Sequence, residues 1–190
     1  MQSFIRWERV KNVIGKLEKM VGRNRIIVSL LIGAGLWFLS KPTFVSIALG
    51  VPFVLLGEAI RIWSSGYIRK NQELATTGPY ALTRNPLYLG NGIMGFGFVL
   101  MGRSLLLLFL FFVFFAFIYR STIRREEAKL SAIFGPQFAQ YVEAVPRFFP
   151  RWSGWRGAEA NFDWRLVLKH REHRTWLGIL LLLLLMTFKV

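Results

Sequence analysis

The chain has 190 residues, about the size of one domain, but 54% of them are hydrophobic, with 18 Phe and 7 Trp. That composition, with a mean hydropathy of +0.41, excludes an ordinary soluble domain, and the lack of cysteine excludes disulfides, thiolate metal sites and cysteine nucleophiles. The net charge of +15 invites a nucleic-acid reading, yet Lys and Arg are confined to segments between long apolar runs, a pattern that argues for an integral membrane protein and against nucleic acid.

Residues 1–25 read as an amphipathic helix. Phe4, Ile5, Trp7, Val10, Val13, Ile14, Leu17 and Met20 recur at three- and four-residue spacings, with Arg6, Arg9, Lys11, Lys16 and Lys19 between them. Such a helix lies on an anionic membrane surface. Because this segment is polar, no cleaved signal peptide is expected.

Four apolar runs follow, each approaching the ~20 residues that cross a hydrocarbon core. The first covers about 25–40 and ends at Ser40-Lys41-Pro42. The second covers about 43–63, with Glu58 and Arg61 near its far end, where mutual pairing or snorkelling accounts for both. The third, about 87–101, is rich in glycine (Gly90, Gly92, Gly95, Gly97), which suggests close approach by a neighbouring helix or a ligand. Gly102-Arg103-Ser104 turns the chain into the fourth run, 105–119, and the last two runs should form a tight antiparallel hairpin.

The helix is predicted to continue past Tyr119 through Arg120, Arg124, Arg125, Glu126, Glu127 and Leu130 and to stop at Phe134-Gly135-Pro136. A second polar segment with Tyr141 leads into Val145-Pro146-Arg147-Phe148-Phe149-Pro150, and residues 151–175 are basic and tryptophan-bearing. The run 176–188 is short, so it either crosses with flanking help or lies re-entrant. The expected fold is therefore an all-α integral membrane protein of four to five spans. It has an interfacial helix (1–25), a transmembrane core (26–150) and a basic tail with a short hydrophobic helix (151–190). Counted along this arrangement, 22 of the 25 Lys and Arg residues fall on one face, which assigns the N-terminus, the 64–86 loop and the 119–175 segment to the cytoplasm.

The stretch from Thr76 to Gly95, TTGPYALTRNPLYLGNGIMG, stands apart: it holds two tyrosines, an arginine and an asparagine where the chain re-enters the membrane. Polar groups there are costly unless solvated or paired, so a loop this dense in them suggests a binding site, although a plain turn with interfacial tyrosines is the simpler alternative. Two constellations share its face: Tyr80, Arg84, Asn85, Tyr88 and Gly90, then Arg124, Glu126, Glu127, Tyr141 and Arg147. Arg124 and Glu127, three apart on a helix, would by themselves make only a surface ion pair. Arg84 and Arg147 each stand near a proline that holds the local backbone, so either suits a carboxylate, while Arg147 equally suits a lipid phosphate. His170 and His173 have no third ligand, so no metal site is expected, and no Ser-His-Asp set, P-loop or nucleotide fingerprint is present. The residues alone lead to a cytosol-facing site for a small zwitterionic or anionic ligand beside the bilayer.

The stretch GPYALTRNPLYLG, followed about 35 residues later by RREEAKLSAIFGPQFAQYVEAVPRFFP, resembles the isoprenylcysteine carboxyl methyltransferase and phospholipid methyltransferase superfamily. The match covers about 73–150: a Gly-x-Tyr turn, an Arg-His-Pro-x-Tyr-x-Gly-like loop entering a helix hairpin, Glu-Glu, and a closing Pro-Arg-x-x-Pro. The resemblance implies S-adenosylmethionine bound at the cytosolic face and a lipophilic methyl acceptor entering from the bilayer. It puts Tyr80, Asn85, Pro86, Tyr88, Leu89, Gly90 and Glu126 along the cofactor, and Arg84, Glu127 and Arg147 around the reaction site. Asn85 stands where the superfamily usually has histidine; it can keep a hydrogen bond but cannot act as a base at neutral pH. An NADPH-dependent sterol-type membrane reductase has a similar loop, but a glutamate usually follows its glycine, whereas Asn91 follows Gly90 here. A non-catalytic basic membrane scaffold is the alternative of another class, for which the two constellations need not converge.

Overall fold

The computed structural model describes residues 33, 35, 37–69, 73–152, 155 and 160–190, with Ile118 described by its backbone only. The predicted interfacial helix and most of the first predicted span lie outside the described residues. The chain divides into two units, Met1–Leu39 and Ser40–Val190, and the architecture below is that of the second.

Its elements are helical throughout the described residues: α1 (Phe44–Ser65), a 3-10 turn (Gly78–Ala81), α2 (Pro86–Gly102), α3 (Leu105–Ala144), α4 (Trp164–Lys169) and α5 (Glu172–Thr187). Local chemistry explains the boundaries. Thr43 and Ser46 form a reciprocal capping box at the start of α1, with Ser46 N donating to Thr43 Oγ1 at 3.2 Å and Thr43 N to Ser46 Oγ at 2.9 Å. Pro86 opens α2, where its missing N–H is no loss. Ser104 caps α3, after Arg103 has turned the chain in the left-handed region (φ 50°). Within α3 the backbone breaks at Gly135 (φ 49°, ψ −122°), the position expected from Phe134-Gly135-Pro136, and helix resumes after it. That combination of angles is open to glycine and strained for other residues.

α1 and α2 pack as an antiparallel pair at very short range. A Cβ at Gly50 would lie 2.5 Å from the Gly97 carbonyl oxygen, and one at Gly57 would lie 2.5 Å from that of Gly90. Gly92 and Gly95 of α2 face α3, for Cβ atoms there would lie 2.6 Å from the rings of Phe115 and Phe111 respectively. The glycines thus serve two neighbouring helices on two faces of α2, as small residues do where helices associate in lipid. Ser46 Oγ donates to the Met101 carbonyl at 2.9 Å and Lys41 N to that of Gly102 at 2.9 Å, tying the start of α1 to the end of α2.

α5 begins at Glu172, earlier than the apolar run suggests, and lies antiparallel along α1. Glu172 meets Arg61, Trp176 meets Glu58, Ile179 packs in one cluster with Val54, Phe98 and Met101, and Lys189 Nζ donates to the Ser40 carbonyl at 2.7 Å. α1 and α3 are long and apolar enough to cross a membrane; α2, with 17 residues, is shorter. Phe44, Val45, Leu49, Leu55 and Leu56 of α1 and Leu105, Leu106, Phe109, Phe112, Val113 and Phe114 of α3 face outward. So large an exposed apolar surface suits lipid contact.

Candidate functional site

The loop between α1 and α2 is clamped to the segment that follows α3. Arg84 N donates to the Pro146 carbonyl at 2.9 Å, and Arg151 N to that of Leu82 at 3.1 Å. Thr83 Oγ1 donates to the Phe148 carbonyl at 2.9 Å and Asn85 Nδ2 to the Arg147 carbonyl at 2.8 Å. From beneath, the buried Tyr141 hydroxyl donates to the Tyr80 carbonyl at 2.7 Å, within a small core of Phe138, Tyr141 and Val145. The two polar constellations, whose meeting residues are 38 to 65 positions apart in sequence, therefore converge on one place.

Their charged groups form a three-part arrangement. Glu127 receives Arg147 through both oxygens, Nη2 to Oε2 at 2.7 Å and Nε to Oε1 at 3.2 Å, a two-pronged pairing. Arg84 Nη1 lies 3.3 Å from Glu127 Oε1. The Arg84 side chain is only 9% exposed and that of Glu127 12%, against 51% for Arg147. Among the described residues, Glu127 pairs with these two arginines and not with Arg124 on its own helix, so a surface pair along the helix is not what it makes. Two cations facing one carboxylate leave a local charge of +1. Arg84 Nε and Nη1 are buried and make no hydrogen bond among the described residues, although Nη1 sits in the ion pair. Burial lowers the Arg84 pKa, Arg147 lowers it further and Glu127 opposes both, but a guanidinium stays charged at any physiological pH. The net positive charge of this group, with Arg84 Nε making no hydrogen bond among the described residues, suits an incoming anion.

Next to this centre, Tyr88 OH donates to Glu126 Oε1 at 2.7 Å, and the Tyr88 ring stands edge-to-face against Tyr119 with centroids 5.0 Å apart. Of the remaining expected site residues, Pro86 is buried at the start of α2 and Leu89 is half-buried. Gly90 directs its Cα hydrogens at α1, where a Cβ would lie 2.6 Å from the Gly57 carbonyl oxygen and 2.8 Å from Arg61 Cγ. Asn85 spends its amide on the Arg147 carbonyl, so its first service is to hold the loop against that segment.

A further polar group was not legible in the sequence. Arg61 lies between Glu58 (Nε to Oε2, 3.4 Å) and Glu172 (Nη2 to Oε2, 2.7 Å), donates to Asn91 Oδ1, and reaches Thr175 Oγ1 at 3.3 Å. Pairing of Glu58 with Arg61 was one expected outcome; Glu172 and Trp176, which belong to α5 more than 110 residues further on, carry no sequence signal for joining them.

Burial pushes the Tyr80 hydroxyl well above the ordinary tyrosine range, with Tyr141 and Glu126 adding to it. The hydroxyl is neutral in the folded protein, so its contribution to stability is whole below the unfolded pKa of about 10 and is lost as pH rises above that. Thermal melts from pH 9 to 11 should show a steep alkaline loss that Tyr80→Phe flattens; an unchanged slope would mean that Tyr80 titrates as it does in the unfolded chain.

The arrangement is a helical membrane-type framework carrying an arginine–carboxylate centre where the loop that enters a helix hairpin meets α3 and the segment after it. Residues 45–137 match the phospholipid methyltransferase family, which is part of the isoprenylcysteine carboxyl methyltransferase-like superfamily. The chain is 40% identical over 136 residues to the cobalt-zinc-cadmium resistance protein CzcN of Cupriavidus metallidurans, an alignment covering 70% of this chain and 62% of the relative. It is 38% identical over 138 residues to the nickel-cobalt-cadmium resistance protein NccN of Alcaligenes xylosoxydans xylosoxydans, covering 69% of this chain and 62% of the relative. The chain thus spans less than two thirds of the length of these curated relatives. No solved structure matches it significantly.

Proposed function

We propose that this protein transfers a methyl group from S-adenosylmethionine to a membrane-resident, lipidic or isoprenyl-type acceptor. The observation that carries the reading is the net-positive group of Arg84, Glu127 and Arg147, in which the buried Arg84 Nε makes no hydrogen bond among the described residues and Arg84 stands on the loop that the family match includes. This donor set fits the cofactor's carboxylate, and the exposed Glu126 with the Tyr88 and Tyr119 rings fits its positive charge, since an aromatic face attracts a cation.

When bound, S-adenosylmethionine supplies a methyl group on a good leaving group. The residues of this chain then hold and orient. Arg84 and Arg147 take the carboxylate, Glu127 keeps both guanidiniums in place, and Tyr88 with Glu126 lines the side next to them. Pro86 and Leu89 continue that side into α2, whereas Gly90, expected along the cofactor, faces α1 instead and lets the two helices approach. A carboxylate or thiolate acceptor needs no base, whereas an ammonium acceptor has to lose a proton first, and Glu126 is the exposed carboxylate at hand. Orientation and exclusion of water account for most of what the protein has to contribute.

In this reading the protein crosses the bilayer four to five times, with α1, α2, α3 and α5 among the spans, and the active site faces the cytoplasm. The bilayer is the first partner and source of the acceptor. The names of the relatives make tolerance of cobalt, zinc, cadmium and nickel the phenotype in which to look for the activity.

The test is binding of S-adenosylmethionine and S-adenosylhomocysteine to the detergent-purified chain, with NADPH in parallel. Binding of the first two in the micromolar range (about −8 kcal/mol), weakened at least tenfold by Tyr88→Ala and by Glu127→Ala, is the expected result. Binding of NADPH alone would replace this reading with a reductase, and binding of none would leave a membrane scaffold.

A further inference from the structure

Helix α5 lies outside the family match, which ends at residue 137, yet it closes a buried ion-pair cluster whose other end reaches the candidate site. The connection runs through five side chains. Glu172 Oε2 accepts from Arg61 Nη2 at 2.7 Å, and the Glu172 side chain is 6% exposed. Arg61 Nη1 donates to Asn91 Oδ1. The Tyr119 hydroxyl lies beside the Asn91 amide and within the field of the Arg61 guanidinium. The Tyr119 ring stacks on Phe115 at 4.2 Å and stands edge-to-face against Tyr88 at 5.0 Å, and Tyr88 donates to Glu126. These contacts are continuous, so a displaced Arg61 would disturb Asn91 and, through it, the ring that backs Tyr88.

Arg61 has no freedom to compensate. Glu58 and Glu172 hold it from two helices, Thr175 takes a further contact at 3.3 Å, and Trp176 Nε1 occupies the free oxygen of Glu58 at 2.7 Å. A guanidinium gripped at several donors is pre-organised, which is how outlying contacts fix a residue at a site. Gly90 adds a steric constraint, because its Cα passes so near Arg61 that a Cβ would lie 2.8 Å from Arg61 Cγ.

We infer that α5 is a positioning element of the cofactor site: Glu172 sets Arg61, Arg61 sets Asn91 and Tyr119, and these set the Tyr88 ring. Glu172 and Arg61 touch no ligand in this scheme. The identity of the ligand rests on the methyltransferase reading; the coupling of α5 to Tyr88 does not.

The experiment places 3-fluorotyrosine in the full chain in detergent, assigns the Tyr88 fluorine signal with Tyr88→Phe, and follows it together with S-adenosylmethionine affinity. Glu172→Gln should move the Tyr88 signal and weaken binding about tenfold, as expected for misplaced positioning groups. Glu172→Asp should restore part of both. Asn91→Ala interrupts the relay while leaving Arg61 on Glu172, so it should move the same signal in a chain whose α5 is still docked. Lys189→Met, which removes the donor to the Ser40 carbonyl at the opposite end of α5, should move neither readout. A Tyr88 signal that stays put in Asn91→Ala, or that moves as far in Lys189→Met, overturns the inference and makes α5 a structural helix only. A Tyr88 signal that moves as expected in a chain without affinity for S-adenosylmethionine sinks the methyltransferase reading and leaves the positioning inference standing.

Discussion

Glu127→Ala should lose about 2–3 kcal/mol of stability and all measurable affinity for a carboxylate-bearing ligand at this site. Removing one partner of a buried pair costs about 3–5 kcal/mol, because the other charge is left buried without compensation. A smaller loss applies here, since the Arg147 side chain is half exposed and can turn to water, whereas Arg84 is 9% exposed and cannot. The two guanidiniums would repel each other, and Arg84, already short of acceptors at Nε and Nη1, would lose its counter-charge as well. Glu127→Gln keeps the shape and an acceptor but not the charge, so it should fall between wild type and Glu127→Ala. Melting in detergent and ligand titration of the three proteins check this order. If Glu127→Ala were as stable as wild type, Arg84 would have to find water or another carboxylate on losing Glu127, and the centre would not be the closed arrangement described above.

Gly57→Ala should be more damaging than its single methyl group suggests. The new carbon would lie 2.5 Å from the Gly90 carbonyl oxygen and 2.6 Å from Met94 N, both backbone atoms of α2 that no side-chain rotation can move. α1 and α2 would have to separate, and overpacking of this kind costs about 1–3 kcal/mol, occasionally more. Separation at Gly57 and Gly90 also shifts the first turn of α2, so ligand binding through Tyr88 should weaken together with stability. Gly178→Ala is the matched comparison. Nothing lies within 4 Å of a Cβ there, and alanine is the better helix former by about 1 kcal/mol, so that variant should be neutral or slightly more stable. Equal melts for the two variants would mean that α1 and α2 do not approach as closely as their glycines imply.

Much of the fold was legible because membrane helices announce themselves through composition. The ends of α1 and α2, the turn at Arg103 and the break at Gly135 each rest on local chemistry: a Thr-Ser capping box, an initial proline, a left-handed turn residue and a Gly-Pro pair. The glycines of α2 were legible as sites of close approach, but not as two sets facing two helices, for their helical phase alone does not say which neighbour lies where. The early start of α5 was hidden because Glu172, His173 and Arg174 read as a charged tail; Glu172 is buried there because Arg61 neutralises it.

The sequence by itself determined the class of the protein, its apolar helices and the candidate residues, since each of these depends on residue type and short-range order. The tertiary structure alone decided which of those residues meet. Glu127 turns to Arg84 and Arg147 rather than to Arg124, Tyr141 supports the Tyr80 carbonyl, and Glu172 reaches Arg61 across 111 positions. The physical reason is that charge pairing and close packing act over a few ångströms in space, whatever the distance along the chain, so partners brought together by the packing of α1, α2, α3 and α5 leave no mark on the spacing of either one.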